Sequence, residues 1–284
     1  MQIKFQNVSY VYNRKSPLEY KALDNIDFSV PENQIVALVG RTGSGKSTLI
    51  SHINALLRPS NGQVRIGDFI NAPKNRIKGK AIRELRKHVG LVFQFPEYQL
   101  FEETVEKDVA FGPKNFGASQ EEALKLAHEA LDMVGLDESF YSRSPFELSG
   151  GEKRKVAIAG VIATKPLVLI IDEPTAGLDP IASKETMDLF KKIKDEGTSI
   201  ILVTHDMNIV NAYADTAIVL EHGKVSKILS PKELFRTSLD EYSLELPMLY
   251  QTVKSLKERG LNLDENKIDD LNSLVKQIKE ARHE

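Results

Sequence analysis

Two kinds of hydrophobic pattern along the chain predict strands. Alternating apolar and polar positions, typical of half-buried antiparallel strands, occupy Ile3–Val11 and Leu23–Val30. Uninterrupted apolar runs, typical of strands covered on both faces, occupy Gln34–Val39, His88–Phe93, Leu167–Asp172 and Ser199–Thr204. A hairpin around His222-Gly223 is predicted for Thr216–Leu220 and Lys224–Leu229. The chain should therefore contain an N-terminal antiparallel layer and a buried sheet.

Helical spacing of apolar residues appears between the buried runs. The predicted helices are Ser47–Leu57, Ser119–Val134, Glu152–Ala163 and Ile181–Glu196. Ser119-Gln-Glu-Glu resembles a capping box at the start of the helix Ser119–Val134, and Gly197 should end the helix Ile181–Glu196. Because strands alternate with helices, we expect an α/β fold with a mostly parallel sheet, interrupted by a helical subdomain at about 95–165.

The last forty residues differ in character from the rest of the chain. Leu246–Gly260 and Ile268–Ala281 are predicted as two helices, the second with Ile268, Leu271, Leu274, Val275 and Ile278 at helical spacing. We therefore expect one domain at 1–245 and a small helical extension at 246–284. Packing on the core and binding a partner are equally open roles for this extension.

Composition narrows the possible partners. The 284 residues carry a net charge of −2, which gives no basic field for nucleic acid, and the basic run Lys74–Lys80 is interpreted as a solvated loop. The absence of cysteine excludes disulfides and thiolate metal sites, as fits a reducing cytoplasm. Met1–Tyr10 lacks the pattern of a signal peptide, and the longest apolar stretches are too short to span a membrane. A membrane role would therefore require a partner protein.

The clearest chemical motif is a glycine-rich loop between a predicted strand and a predicted helix. It is composed of Gly40, Arg41, Thr42, Gly43, Ser44, Gly45, Lys46, Ser47 and Thr48. In such a loop successive backbone N–H groups converge on phosphate oxygens, while the lysine supplies a charge and the serine a hydroxyl for Mg²⁺. The helix that follows adds its N-terminal dipole. We expect all nine residues to bind a nucleoside triphosphate.

Other candidate residues lie where predicted strands end. Asp172 and Glu173 follow an apolar strand, where Asp172 can hold Mg²⁺ and Glu173 can orient or deprotonate the attacking water. Gln94 follows another strand and offers an amide oxygen to the metal and an NH₂ group to that water. His205 follows a third and can donate a hydrogen bond to the transferred phosphoryl group. The predicted catalytic residues are thus Lys46, Gln94, Glu173 and His205, and the predicted metal ligands are Ser47, Gln94 and Asp172.

Six motifs in order make the chain resemble an ABC-transporter ATPase. They are Gly40–Thr48, a glutamine loop at Gln94, the signature L-S-G-G-E at Leu148–Glu152, Asp172-Glu173, a D-loop A-G-L-D at Ala176–Asp179, and His205. The resemblance implies a RecA-like P-loop core, ATP and Mg²⁺ as cofactors, and Tyr12 as the aromatic that stacks on adenine, with Tyr10 as a close alternative. It also implies that Ser149, Gly150 and Gly151 close over a nucleotide held by a partner's phosphate loop, and that Asp179 lies at the nucleotide interface.

Three longer stretches are similar to the ATPases of energy-coupling factor transporters. They are Val92–Val105, Arg154–Ala163 and Asp172–Pro180. This resemblance implies the second of two ATPase subunits, paired with a related ATPase or a second copy of itself, on a transmembrane scaffold with a separate substrate-capture protein. Its implied location is the cytoplasmic face of the cell membrane, and its implied role is to energise uptake of a vitamin or a transition metal. Glu152 departs from the glutamine usual at the end of the signature.

Two other classes of function share some of these motifs. Soluble ABC ATPases without a membrane partner usually carry two cassettes or long coiled coils, whereas this chain has one phosphate loop and no long heptad run. A GTPase is suggested by Asn266-Lys267-Ile268-Asp269, but that motif ends a core strand in GTPases and here lies in the polar C-terminal segment. The transported substrate is not specified, because in this architecture another polypeptide recognises it.

Overall fold

The computed structural model describes residues 1–237, 239, 242, 244–268 and 270–281. Within these residues the strands are β1 (Ile3–Tyr12), β2 (Tyr20–Val30), β3 (Ile35–Val39), β4 (Asn61–Ile66), β5 (Phe69–Asn71), β6 (Val89–Val92), β7 (Val168–Asp172), β8 (Ser199–Val203), β9 (Thr216–Glu221) and β10 (Lys224–Leu229). The helices are α1 (Lys46–Ile53), α2 (Lys80–His88), α3 (Val105–Asn115), α4 (Gln120–Met133), α5 (Gly150–Ile162), α6 (Pro180–Asp195), α7 (Met207–Tyr213), α8 (Pro231–Phe235), α9 (Met248–Glu258) and α10 (Leu271–Ala281).

The N-terminal layer is a four-stranded antiparallel sheet in the order β2-β1-β4-β5. Its buried face includes Phe5 and Phe28, whose rings stack at 4.9 Å. The two predicted strands are confirmed, although β2 begins three residues before Leu23 because Tyr20 pairs with Tyr12 across the hairpin. Strands β4 and β5 had not been predicted.

The central sheet has the order β10-β9-β3-β8-β7-β6. Strands β9, β3, β8, β7 and β6 are parallel, and β10 pairs antiparallel with β9 at the edge. Every residue of β3 and β8 is buried, as their apolar runs predicted. The hairpin prediction is also confirmed, since His222 and Gly223 both adopt positive φ in the turn between β9 and β10. This parallel arrangement brings the carboxyl ends of β3, β6, β7 and β8 to one edge.

The helical subdomain consists of α3, α4 and α5, between β6 and β7. Ser119 accepts a hydrogen bond from the Glu122 N–H at the start of α4, but the reciprocal bond of a capping box is not formed there. Helix α5 does have a complete capping box, between Ser149 and Glu152, and therefore begins two residues earlier than predicted. Helix α1 instead ends early, at Ile53, and Ala55 then turns into the left-handed region. Helices α2, α3, α7 and α8 had not been individually predicted.

The C-terminal helices enclose a small buried cluster formed by Leu249, Val253, Leu263, Ile268 and Leu274. The predicted apolar face of α10 is only partly buried, since Leu274 is inside whereas Leu271 and Val275 are exposed. Ile268 is buried but precedes the helix, and the predicted helix also included Asp269, which lies outside the described residues. Within the described part of the chain, no helix is both long enough and apolar enough to cross a membrane.

A buried histidine gives the fold a pH dependence. His52 on α1 is fully buried, and because a carbonyl only accepts, its Nδ1–H donates to the Thr48 carbonyl at 2.7 Å. Burial lowers the pKa of His52 from 6.5 to about 4. In the unfolded chain this imidazole binds a proton as the pH falls below 6.5, while the folded protein keeps it neutral, so its stabilising contribution is complete above pH 6.5 and is lost between pH 6.5 and 4.

We therefore expect the free energy of unfolding of the wild type to fall by about 2 kcal/mol more than that of His52→Gln when the pH is lowered from 7.5 to 5. Urea unfolding at the two pH values measures both proteins, with His52→Gln as the reference for all other titrating groups. Equal pH dependence of the two proteins would contradict the assignment.

Candidate nucleotide-binding site

The glycine-rich loop connects β3 to α1 as predicted. Gly40 and Gly45 have φ of 143° and 108°, and a Cβ on them would lie 2.2 Å from the Leu220 carbonyl oxygen and 2.7 Å from the Ala22 carbonyl oxygen. These two positions thus require glycine for both conformation and space. Helix α1 has no side-chain cap and no acidic residue in its first turn. Its first N–H groups are therefore available to an anion.

Lys46 points back over its own loop. Its ammonium donates hydrogen bonds to the carbonyl oxygens of Gly40 at 2.6 Å and Arg41 at 3.0 Å. Burial lowers the pKa of Lys46, and this effect is opposed by the nearby carboxylates of Glu173 and Asp172. These contacts hold the ammonium over the loop, where a β- or γ-phosphate would be bound.

The acidic pair lies beside this loop at the end of β7. Burial raises the pKa of Asp172, with a further rise from Glu173 and an opposing effect from Lys46. Glu173 adopts a left-handed backbone with φ of 49°, a sparsely populated conformation for a non-glycine residue that is common at functional sites. Its Oε1 lies 2.9 Å from Nδ1 of His205, which follows β8. The two predicted catalytic side chains are therefore in contact.

These residues line one cavity of about 420 Å³. Its walls comprise Tyr20, Ala22, Thr42, Gly43, Gly45, Lys46, Ser47, Thr48, Gln94, Asp172, Glu173, Val203 and His205. The three predicted metal ligands, Ser47, Gln94 and Asp172, are all present and offer hydroxyl, amide and carboxylate oxygens, the donors that Mg²⁺ prefers. Among the described residues no three His, Asp or Glu side chains form a metal cluster. A Mg²⁺ ion here would thus share its coordination with phosphate and water.

The predicted adenine-stacking residue lies next to this cavity. The Tyr12 hydroxyl is 3.2 Å from the Thr48 hydroxyl, but its ring is not among the cavity walls. Tyr10 packs edge-on against His52 and is directed toward the core. Tyr20 was missed by the sequence analysis, yet its exposed ring lines the cavity and its hydroxyl donates to the Gly43 carbonyl at 3.2 Å. Its position opposite Tyr12 depends on the register of the β1–β2 hairpin, which no sequence motif specifies.

The remaining predicted residues lie outside the cavity. Ser44 is buried beneath the loop, and Gly40 and Arg41 present the carbonyls that hold Lys46. Asp179 caps α6, accepting from the Ile181 and Ala182 N–H groups at 2.9 and 3.1 Å. The signature residues Ser149, Gly150 and Gly151 are exposed at the N-terminus of α5. The signature residues are thus not among the walls of the cavity that contains this chain's own phosphate loop.

Glu152 is hydrogen-bonded to Ser149 of the signature. Its Oε2 accepts hydrogen bonds from Ser149 N at 2.8 Å and Ser149 Oγ at 2.7 Å. The hydrogen bond from the Ser149 hydroxyl is the main cause that lowers the pKa of Glu152. Glutamate therefore serves in the helix cap, as glutamine would, while adding a negative charge at the exposed end of α5.

A larger cavity, of about 610 Å³, lies elsewhere. It is lined by Ala55, Leu56, Arg58, Asn71, Arg76, Ile77, Lys78, Gly79, Ile82 and Arg86. None of the motif residues takes part in it, and its cationic side chains are all exposed. The predicted residues that follow the strand ends thus line the smaller cavity.

Three tyrosines near the cavity should differ in how much they contribute to ATP binding. We expect Tyr12→Ala to weaken ATP binding by roughly 1 to 3 kcal/mol, the effect of losing one base–aromatic stack. Tyr10→Ala should weaken it much less, since the Tyr10 ring packs on His52. Equilibrium ATP binding to both variants and to Tyr20→Ala measures the order. A larger loss in Tyr20→Ala than in Tyr12→Ala would transfer the stacking role to Tyr20.

A phosphate loop between a parallel strand and a helix, faced by an acidic pair, defines a P-loop nucleoside triphosphatase. Comparison with known proteins is more specific. The ABC transporter family model matches residues 23–176. The "Energy-coupling factor transporter ATP-binding protein EcfA2" of Enterococcus faecalis is 48% identical over 99% of both chains. That of Lactiplantibacillus plantarum is 48% identical over 93% of this chain and 90% of its own length.

Solved structures agree with these relatives. The cbiO1 protein of Clostridium perfringens, described as part of the ABC transporter complex cbiONQ, is similar with a TM-score of 0.74 and 36% identity, covering 89% of this chain and 98% of its own. The ATP-binding cassette MJ0796, in a dimeric post-hydrolysis state bound to ADP and Pi, has a TM-score of 0.71 and 30% identity, covering 81% of this chain and 98% of its own. The chain belongs to the ABC transporter family, among the ATP-binding subunits of energy-coupling factor transporters.

Proposed function

We propose that this chain binds and hydrolyses ATP with Mg²⁺ and thereby energises the uptake of a vitamin or transition metal through an energy-coupling factor transporter. The observation that carries the proposal is the convergence of Lys46, Ser47, Asp172, Glu173 and His205 on one cavity at the ends of parallel strands. Family membership supports the same activity and the ATP-binding role within such a transporter.

The side chains divide the chemistry between binding and hydrolysis. Lys46 and the α1 N-terminus would hold the β- and γ-phosphates, while Ser47, Asp172 and Gln94 would hold Mg²⁺, which supplies Lewis-acid neutralisation of phosphate charge. Glu173 would orient or deprotonate the attacking water. His205, whose Nδ1 lies 2.9 Å from Glu173, would donate a hydrogen bond to the transferred group.

A second ATPase chain would complete each nucleotide site. A Cβ on Gly150 or Gly151 would meet no atom within 4 Å, so packing within this chain does not explain why side chains are absent there. An approaching phosphate does explain it, because the exposed N-terminus of α5 then offers its N–H groups at close range. The dimeric state of the similar cassette MJ0796 supports such pairing. A related chain is the expected partner, with a second copy of this chain as the other possibility.

The surface for the transmembrane scaffold would be the start of the helical subdomain. Phe95, Tyr98, Phe101 and Phe111 are all exposed there, and the rings of Phe101 and Phe111 contact edge-to-face at 4.9 Å. Exposed aromatic clusters are typical of protein interfaces. This placement would keep the chain peripheral, at the cytoplasmic face of the membrane, with substrate recognised by a separate membrane protein.

We also propose the division into an ATP-binding domain at 1–245, with a helical subdomain at about 95–165, and a helical extension at 246–284. The separate buried cluster of the last helices supports a distinct unit. Tyr250 packs against that cluster and, at 5.3 Å between ring centroids, against Phe235 of the preceding domain. Residues of both regions, including Asp269, lie outside the described part of the chain.

The experiment that tests the function is purification of this chain from membranes under native conditions, with identification of the accompanying proteins and assay of ATP against GTP hydrolysis. We expect a related ATPase and two integral membrane proteins, and hydrolysis of ATP. A matched preparation of the quadruple variant with Phe95, Tyr98, Phe101 and Phe111 replaced by serine should lose the membrane proteins. ATP hydrolysis by a chain that associates with no membrane protein would instead indicate a soluble ABC switch.

A further inference from the structure

Arg154 is a buried cation that none of the roles above uses. It lies on α5, after the signature, and is 5% exposed. Its Nη1 donates to the Ala176 carbonyl of the D-loop at 3.0 Å, and its Nε lies 3.6 Å from Glu97 Oε2. Its guanidinium carbon lies 6.0 Å from the centroid of the Phe95 ring. One side chain of the signature helix thus contacts both the D-loop and the segment after Gln94.

The segment after Gln94 and the D-loop also lie close together. Phe95 follows Gln94 in a left-handed conformation with φ of 55° and begins the helical turn Pro96–Gln99. A Cβ placed on Gly177 of the D-loop would lie 3.7 Å from Phe95 Cε1, which is ordinary van der Waals contact. The Phe95 ring therefore lies between Gly177 and Arg154, while its left-handed backbone directly follows the residue expected to contact the metal.

The ion pair at this junction is incompletely satisfied. Glu97 Oε2 and Arg154 Nη2 are buried and have no hydrogen-bond partner, and 3.6 Å is longer than a direct hydrogen bond. Removing one buried charge would leave the other uncompensated. Arginine can serve the carbonyl and the carboxylate together, because its N–H donors are held in one plane, whereas lysine offers a single charged atom.

We propose that Arg154 is a positioning residue that holds the Gln94 segment and the D-loop in register with the signature helix. It thereby links the aromatic docking surface, to which Phe95 belongs, to hydrolysis. This inference rests on the proposed function, since it concerns how those motifs are held together. Because Arg154 lies outside the nucleotide cavity, it acts on turnover and leaves the binding of ATP to the phosphate loop unchanged.

The test uses the complete transporter carrying Arg154→Lys, with Arg143→Lys as the matched control, since Arg143 contacts Phe140 in the same subdomain. We expect Arg154→Lys to lower kcat for ATP hydrolysis about tenfold. The KM for ATP and the unfolding midpoint should stay unchanged, the midpoint to within about 2–4 °C. Arg143→Lys should match the wild type in all three. A wild-type kcat in Arg154→Lys, or a parallel loss of stability and ATP binding, would overturn the proposal.

Glu97→Gln alters the other partner of the same ion pair. It tests the proposal independently if the Arg154→Lys chain does not assemble into the transporter. We expect it to lower kcat with unchanged KM, and the double variant to lose no more than the worse single variant, because both changes break one interaction. Independent, multiplicative losses would overturn the pairing. If the wild-type complex itself did not hydrolyse ATP, the proposed function would fail, an outcome distinct from failure of the positioning role.

Discussion

Glu173→Gln should retain ATP binding and lose most ATP hydrolysis, by about 10²- to 10⁴-fold in kcat, the usual contribution of a positioned acid–base group. The amide preserves the size of the side chain, and its oxygen can still accept the hydrogen bond that His205 Nδ1 makes at 2.9 Å. What disappears is the negative charge that would draw a proton from the attacking water. Binding is retained because Lys46 and the α1 N-terminus, which hold the phosphates, are untouched.

The measurement is steady-state ATP hydrolysis by the assembled complex, paired with equilibrium ATP binding. Glu196→Gln is the control, since it makes the same chemical change on an exposed residue beyond the end of α6. Near-normal turnover in Glu173→Gln would remove this residue from the reaction. A large loss of ATP affinity would instead assign Glu173 to binding.

The parts of the fold that the sequence predicts correctly, and on which the candidate site rests, are those fixed by local geometry. A parallel strand followed by a glycine-rich loop and a helix is a local arrangement, and Gly40 and Gly45 have the positive φ that the tight turn requires. The apolar runs before Gln94, Asp172 and His205 predict strands, and parallel strands bring their ends to one edge. Sequence pattern is sufficient here because a parallel sheet brings the carboxyl ends of its strands to one edge whatever their order.

The parts that the sequence misses depend on contacts between distant segments. Tyr20 lines the cavity only because the hairpin register places it opposite Tyr12. In the sequence, nothing distinguishes Arg154 from the other basic residues of its helix. Its contact with Glu97, 57 positions away in the chain, exists only after the subdomain has folded. Helix α1 similarly ends at Ile53, before the predicted Leu57, because Ala55 adopts a left-handed backbone conformation that no local sequence pattern predicts.

Ser149→Arg should block hydrolysis at the site completed by this signature while leaving ATP binding at this chain's own Lys46 largely intact. An arginine would fill the open space above Gly150 and Gly151, where the α5 N–H groups must approach a γ-phosphate. ATP binding at Lys46 should persist, because the walls of the cavity that contains the phosphate loop do not include these residues. Ser149→Ala is the matched control. It removes the hydroxyl that donates a hydrogen bond to Glu152 Oε2 at 2.7 Å, which should lower helix stability by about 1 kcal/mol, but it adds no bulk.

Site-resolved nucleotide trapping in the assembled transporter distinguishes the two nucleotide sites. We expect Ser149→Arg to abolish trapping at the partner's phosphate loop and Ser149→Ala to retain much of it. Combining Ser149→Arg with Glu173→Gln in this chain should then impair both sites, one through the missing approach of the signature and the other through the missing base. If Ser149→Arg instead abolished ATP binding at Lys46 while the partner's site turned over normally, both motifs would serve a single nucleotide. The exposed glycines of α5 would then need another explanation.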